Sequence, residues 1–131
     1  MNKVVFTPSG GAAATLADLS TGSHVVLEEL GGAGIEQVEP LMDGSNVVRF
    51  PRGNVAGDCV FTVEKSFADK ATAAAAAKTE YARMMQQGLL VLTIYATTLS
   101  MANAVLRSVK CSRVNGVRWG FRYTFGITTI T

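Results

Sequence analysis

The chain has 131 residues, of which 48% are hydrophobic and only 17% are charged, and its formal net charge is +2. This length fits a single domain, 1–131, and no stretch reaches the roughly 18 uninterrupted apolar residues of a membrane-spanning helix. A charged share below roughly a quarter indicates that partners cover part of the exterior. The first residues run directly into the turn-forming segment Thr7–Gly11. We therefore expect no secretory signal, no membrane span and synthesis in a cytoplasm.

The first half of the chain predicts a series of short strands. These strands are Lys3–Thr7, His24–Leu30, Ile35–Val38, Asn46–Phe50 and Asp58–Lys65. The segment Ala12–Leu19 is ambiguous between a helical turn and a loop. Gly31–Gly34 predicts a flexible turn, and Pro51–Asn54 predicts a break between two strands.

An alanine-rich helix is predicted at about 67–87. Ser66 is its expected N-cap, with Asp69 three residues later, and Gly88 is its expected left-handed C-cap. Apolar residues at helical spacing form one stripe, which we expect to pack against a sheet. The stripe consists of Ala74, Ala77, Tyr81, Met84 and Met85, and Phe67 and Ala73 extend it.

The end of the chain predicts a strand over Leu89–Thr97 and then a hairpin over 103–128. Asn115–Gly116 is a preferred type I′ turn between the two strands of this hairpin. Strict alternation in the second strand predicts a core face and a polar face that carries Arg118 and Arg122. The core face consists of Trp119, Phe121, Tyr123 and Phe125. The first strand has no cleanly apolar face, which fits either a subunit boundary or an irregularity near a sheet edge.

Together these elements predict a mainly β fold with one packed α-helix, an α+β domain. The apolar run that begins at Leu89 suits a strand in the middle of a packed sheet. The closely set alanines of the helix allow a short helix–sheet distance. We expect a β-sandwich or a split β-barrel.

Charge is segregated along the chain. Residues 1–50 carry two bases and six acids, whereas residues 101–131 carry five bases and no acid. Opposite ends of this kind attract each other between copies, so we predict a head-to-tail oligomer interface. Its predicted residues are Glu28, Glu29, Glu36, Glu39, Arg107, Lys110, Arg113, Arg118 and Arg122.

No set of residues predicts catalysis, a metal site or a cofactor. His24 is the single histidine, and Cys59 and Cys111 are isolated thiols, so no metal or nucleophile constellation forms in the sequence. Glu28 and Glu29 are the paired carboxylates, but neighbours in a strand point to opposite faces. We therefore expect a protein that is not an enzyme.

Nucleic-acid binding is the alternative function. The bases of the segment 107–122 form a basic ribbon on the late hairpin. However, the alternation places Trp119 and Tyr123 on the face opposite Arg118 and Arg122, so the bases lack exposed aromatic partners for stacking.

The order of elements resembles a known family. A loop at Phe50–Asn54 is followed by a strand, one helix, another strand and a hairpin that contains Asn103–Leu106 and Gly116–Phe125. This order looks like that of the tail-tube and distal-tail proteins of tailed bacteriophages. The resemblance covers roughly residues 46–131 and is one of pattern, since no short motif is diagnostic.

The resemblance implies a structural virion protein of the phage tail, made in the host cytoplasm. Members form rings, commonly hexamers, that stack around a channel through which DNA passes as cargo. The implied partners are copies of the chain itself and other tail proteins. The lumen in such families is often acidic, whereas the late hairpin here is basic. The arginines would then lie at a ring-to-ring contact, or the chain would form a terminal adaptor ring.

Overall fold

The structure is a computed structural model. It describes residues 3–18, 24–31, 33–40, 47–55, 57–94, 96–128 and 130–131, and for 33–40 and 47–55 it describes the backbone alone. The elements in chain order are β1 Lys3–Pro8, β2 Ala14–Asp18, β3 His24–Leu30, β4 Ala33–Pro40, β5 Val47–Val55, β6 Gly57–Ser66, α1 Lys70–Tyr81, β7 Gln87–Ile94, β8 Thr97–Asn115 and β9 Arg118–Ile127.

Seven of these strands form one antiparallel sheet in the order β2-β1-β7-β8-β9-β6-β3, and β4 and β5 form a separate pair. The expectation of a mainly β chain with one packed helix is confirmed for the described residues, and the sheet is open. The ambiguous segment 12–19 contains a strand, β2. No helix in the described part of the chain has the length and hydropathy needed to cross a membrane.

The sheet curls so that its inward side chains meet in one hydrophobic core. Phe6 on β1 and Phe125 on β9 are in edge contact, with ring centroids 5.1 Å apart, although β7 and β8 lie between their strands. In a flat sheet these strands would be roughly 14 Å apart. The two edge strands β2 and β3 also come within 8 Å of each other at their Cα atoms. The sheet therefore provides both walls of its own core.

A long two-stranded ribbon leaves this sheet. Leu30 on β3 faces Cys59 on β6, and beyond this point Ala33 on β4 faces Val55 on β5, a register shift of one residue. The ribbon thus continues from β3 and β6 into β4 and β5. We call the part formed by β4 and β5, residues 33–55, the arm. At ~3.3 Å per residue the eight residues of β4 extend over roughly 26 Å.

Part of the arm was predicted to be a break. Pro51 lies inside β5, in register with Glu36, and the predicted loop 50–54 is therefore a strand. Proline is tolerated in this place because both strands of a two-stranded ribbon are edge strands, so an N–H group facing outward is not needed for pairing.

The irregular pattern of β8 has a local cause. The side chains of Met101, Ala104, Leu106 and Val109 are all buried, which a strict alternation would not allow. Asn103 has a left-handed backbone, with φ of 56°, and the register shifts between Leu106 and Ser108. Each irregularity inserts one residue and turns the next apolar side chain back to the core. β8 is a central strand, so neither a sheet edge nor a subunit boundary is needed to explain its pattern.

The helix is shorter than predicted, Lys70–Tyr81 instead of 67–87. Its N-cap is Asp69, whose side chain accepts a hydrogen bond from the backbone N–H of Thr72 at 2.7 Å, so the prediction of Ser66 is wrong. The backbone N–H of Phe67 instead donates to the carbonyl oxygen of Val117 at 3.0 Å. This bond ties the segment before the helix to the β8–β9 turn.

The face of α1 that meets the core differs from the predicted stripe. Of the predicted stripe, Ala73 is buried and Phe67, Ala77 and Met84 pack partly against the core, as expected, but Glu80 is also buried and Ala76 also packs there. The predicted members Ala74, Tyr81 and Met85 are exposed, Tyr81 at 63% and Met85 at 71%. Alanine occupies almost every position, so the pattern did not fix the rotation of the helix. The prediction excluded Glu80 from the core face because it is charged.

Gly88 is not a helix cap. It lies in β7 beside β1, and a Cβ atom there would overlap the carbonyl group of Thr7 and lie 2.7 Å from the Cα of Pro8. The left-handed residue after the helix is Met85, with φ of 68°. Met85 is held there because its N–H donates to the carbonyl oxygen of Leu106 at 2.6 Å.

The turn of the late hairpin also differs from the prediction. Asn115 and Arg118 form the last pair, so the loop consists of Gly116 and Val117. Among these residues only Gly116 has a positive φ, 53°. A positive φ at the first loop position alone matches a type II′ turn instead of type I′.

The rotation of α1 yields a stability prediction. Replacing Ala73, which is fully buried, with leucine should lower the free energy of unfolding by about 1–3 kcal/mol through overpacking. Replacing exposed Tyr81 with alanine should change it by less than about 0.5 kcal/mol. Chemical denaturation of the two variants measures both values. The reverse order of effects would contradict the burial of Ala73 and the exposure of Tyr81.

The contact at Gly88 yields a second prediction. Gly88→Ala should destabilise the fold by about 3 kcal/mol or more, because the new methyl group meets rigid backbone of β1. Gly31→Ala is the control, since a Cβ there approaches only the Glu29 carboxylate, at 4.0 Å. If thermal melts of the two variants coincide, the close approach of β1 and β7 is contradicted.

Candidate interaction surface

The outer face of the sheet, opposite the core, carries three cross-strand ion pairs. Arg122 on β9 donates from Nε to Glu28 Oε2 on β3 at 2.8 Å, and Thr62 donates to the other carboxylate oxygen of Glu28 at 3.0 Å. Arg118 donates from Nε to Glu64 Oε2 at 3.1 Å. Each arginine of β9 therefore holds a carboxylate of the same chain.

The third pair joins Arg107 on β8 to Asp58 on β6, across the intervening strand β9. Gly126 makes this crossing possible. A Cβ at Gly126 would lie 3.2 Å from Nε of Arg107, so any larger residue would push the guanidinium away. The absence of a side chain on β9 thus allows two strands that are not neighbours to share an ion pair.

Electrostatics at Glu28 follow from these contacts. The hydrogen bond from Arg122 is the main cause that lowers the pKa of Glu28 below its usual 4.5, with a smaller contribution from Thr62. The side chains of Glu28 and Arg122 are 38% and 45% exposed, so solvent screens the pair and its contribution stays within about 1 kcal/mol. The pairs orient side chains more than they stabilise the fold.

The predicted interface residues therefore fall into separate groups. Glu28, Arg107, Arg118 and Arg122 belong to the ion pairs within one chain. Glu29, Lys110 and Arg113 are exposed and have no ion pair with any residue that the structure describes. Arg113 lies in register with Trp119, on the core side of the sheet. Glu36 and Glu39 lie on β4 of the arm, and their side chains are outside the described part.

Lys110 lies at a groove in the outer face. It is in register with Arg122, and no carboxylate of the described residues faces it from β8 or β9. The groove has a volume of about 580 Å³ and is open to solvent. Its floor is Gly120, and its walls include Thr62, Glu64, Lys110, Ser112, Val114 and Arg122. We call it the Gly120 groove.

The aromatic row of β9 does not reach this surface. Phe121, Tyr123 and Phe125 are buried in the core, and Trp119 packs partly against it. Phe67 contacts Phe121 edge-on, with centroids 6.0 Å apart. The outer face thus combines charged side chains and glycines with no aromatic side chain from β9, which is a poor platform for stacking bases.

A buried polar cluster lies where α1 meets the sheet, and the sequence did not predict it. Arg83 donates from Nε to the buried carboxylate of Glu80 at 3.1 Å. Burial, and then the charge of Glu80, raises the pKa of Tyr123. Burial also lowers the pKa of Lys65, whose Nζ lies 5.8 Å from the centroid of the Phe121 ring. The i,i+3 spacing of Glu80 and Arg83 was the available signal.

The described residues offer little for catalysis. No three His, Cys, Asp or Glu side chains among them gather closely enough to hold a metal ion. Burial raises the pKa of Cys59 to about 11, so its thiol stays protonated at neutral pH. His24 is exposed on the edge strand β3.

No known protein-family model matches the chain, and no curated protein is similar to it. The surface must therefore be interpreted from its own residues.

The lowered pKa of Glu28 yields a pH prediction. A carboxyl whose pKa is depressed by folding stabilises the fold above its unfolded pKa and loses this effect as the pH falls through its folded value. Glu28→Gln should therefore be slightly less stable than the wild type at pH 7, and the difference should shrink as the pH falls below 4.5 and through the lowered pKa of Glu28. Denaturant titrations across this range measure the difference.

Glu29→Gln is the matched control, because Glu29 is an exposed neighbour with no ion pair among the described residues. It leaves the contact between Glu28 and Arg122 in place, so it should not reproduce the effect of Glu28→Gln. A stability difference for Glu28→Gln that persists unchanged at pH 3 would contradict the assigned contact with Arg122.

Proposed function

We propose that this chain is a structural virion protein of a phage tail, as a tube, adaptor or distal-tail ring, that assembles with copies of itself around a DNA-conducting channel. Other tail proteins are its further partners, DNA is passing cargo, and its location is the virion. The sequence resemblance motivates this choice. The structural observation that carries it is the arm.

Among the residues that the structure describes, the two strands of the arm pair only with each other. β4 pairs with β5, and neither is hydrogen-bonded to the seven-stranded sheet. A lone two-stranded hairpin is at best marginally stable in water, because it has no second layer to bury its apolar side chains. The arm sequence includes Ile35, Val38, Val48 and Phe50. An identical neighbour is the simplest source of the missing layer.

The open edges of the sheet support the same proposal. Among the described strands, β2 pairs with β1 and β3 pairs with β6, so β2 and β3 are the edge strands of the sheet, where a further strand can add. Because these two strands approach each other, we regard the fold as a split barrel with its gap between β2 and β3. Subunits that join sheets at such edges close into a ring.

The alternative function, a nucleic-acid-binding module that uses the basic hairpin 107–122, has less support. Three of its five bases, Arg107, Arg118 and Arg122, are paired with carboxylates of the same chain. Pairing of this kind reduces the positive potential available to phosphates. Lys110 and Arg113 remain, and they lie on opposite faces of the sheet. A steep salt dependence of DNA or RNA binding would revive this candidate.

The arm provides the test of the proposal. Leu30 faces Cys59, and the N–H of Gly31 donates to the carbonyl oxygen of Asp58 at 2.9 Å, so the ends of the arm leave the sheet side by side. Replacing residues 32–56 with Asn-Gly closes a short loop between Gly31 and Asp58. The full chain should form oligomers in light scattering and rings in electron micrographs. The arm-deleted chain should be a monomer with a cooperative melt.

A full chain that stays monomeric at high concentration and low salt would contradict the proposal. So would an arm-deleted chain that forms the same oligomer as the full chain. The melt of the arm-deleted chain is the control, because it separates a lost contact from a lost fold.

A further inference from the structure

The arm and the Gly120 groove lie at opposite ends of the same strand pair. The arm begins next to Gly57, whereas the groove lies beside Glu64, close to the β8–β9 turn. Seven residues of β6 separate these points, or roughly 23 Å at ~3.3 Å per residue. The arm continues the ribbon away from the groove, so an arm reaches this groove most directly when it belongs to another copy.

The charges of the groove call for an incoming carboxylate. Lys110 and Arg122 face each other across β8 and β9, and like charges in this position repel. Glu28 compensates Arg122 from the β3 side. No carboxylate among the described residues pairs with Lys110 in this way. Its ammonium group is therefore left beside the guanidinium of Arg122.

The arm carries the matching charges. Its sequence contains Glu36, Glu39 and Asp43 against Arg49 and Arg52, and both glutamates belong to β4. The strand β4 itself carries no base. The acidic strand of one copy is therefore complementary to Lys110 of another.

The shape of the groove fits an added element as well. Gly120 leaves its floor without a side chain, and a Cβ there would meet the nearest atom, Cγ2 of Val114, at an ordinary 3.5 Å. Val114 is 52% exposed and offers an apolar wall. A volume of about 580 Å³ accommodates several side chains of an extended segment.

We propose that the Gly120 groove receives the β4–β5 arm of a second copy of this chain, with Glu36 or Glu39 of that copy beside Lys110. The inference rests on the proposed function, since it names the partner surface of the arm. The contact is heterologous, because each copy uses its arm at one end and its groove at the other. Repetition of such a contact generates a closed ring or an open stack.

Filling the groove is the first test. Gly120→Ile places a side chain on the groove floor, where the chain itself has room, and should give a folded protein that does not assemble. Gly120→Ala is the matched control and should assemble like the wild type. Light scattering and thermal melts measure both properties. A Gly120→Ile chain that assembles like the wild type would overturn the inference.

Reversing the charge is a second test that does not depend on tolerance at Gly120. Lys110→Glu should weaken assembly at least about tenfold in Kd, and adding Glu36→Lys and Glu39→Lys should restore it. Lys70→Glu makes the same charge change at an exposed position on α1 and should have no effect. Unchanged assembly of Lys110→Glu would count against the groove, as would a failure of the charge-swapped chain to recover.

Mixing two defective chains tests the head-to-tail geometry. The arm-deleted chain keeps its groove, and the Gly120→Ile chain keeps its arm. Each should be a monomer alone, and together they should form a 1:1 dimer that grows no further. Two folded chains that stay monomeric in the mixture would contradict the inference.

The outcomes separate the two proposals. If the arm-deleted chain still assembles, the proposed function fails together with the inference. If the arm-deleted chain is a monomer while the Gly120→Ile and Lys110→Glu chains assemble normally, the arm docks elsewhere and only the groove assignment fails.

Discussion

The architecture depends on one constraint, which is that the ribbon built from β3–β4 and β5–β6 is longer than the sheet that holds its base. Over β6 the ribbon is anchored by β9, and beyond Gly57 no described strand of the sheet pairs with it. Its outer half therefore leaves the domain as an arm whose backbone is paired on one side only. An isolated hairpin of this length gains little stability alone, which is why we propose that contacts with another copy complete the arm.

Folding converts a charge pattern along the sequence into a pattern on a surface. Glu28 and Arg122 are 94 positions apart, yet they form a direct ion pair because β3, β6 and β9 are consecutive in the sheet. One acid of the first fifty residues is thus paired with a base of the chain's end, and Arg107 and Arg118 pair with Asp58 and Glu64 from the middle of the same chain. What remains for contacts between copies is smaller and more local, namely Lys110 on the outer face and the acidic strand of the arm. Because so few charges remain, they favour a single register of one copy against the next over alternative registers.

The sequence predicted the parts of the fold that local periodicity determines. The alternation of β9 correctly separated Phe121 and Tyr123 from Arg122. The rotation of α1 was not predictable, since alanine at nearly every position leaves the apolar face undefined and Glu80 is buried by tertiary contacts. The irregular strand β8 required a left-handed residue at Asn103, which no pattern indicates. The site depends on strand order, which brings together residues far apart in sequence, so its ion pairs and groove were beyond prediction.

The central claim is that the arm of one copy is completed by the outer face of the next. A cryo-electron microscopy map of the assembled protein, at a resolution that traces strands, tests this most directly. We predict density for β4 and β5 lying along the groove between Lys110 and Val114 of the adjacent copy, with every copy related to the next by the same rotation. A map with the groove open to solvent, or with copies paired about two-fold axes and their arms free, would contradict the account.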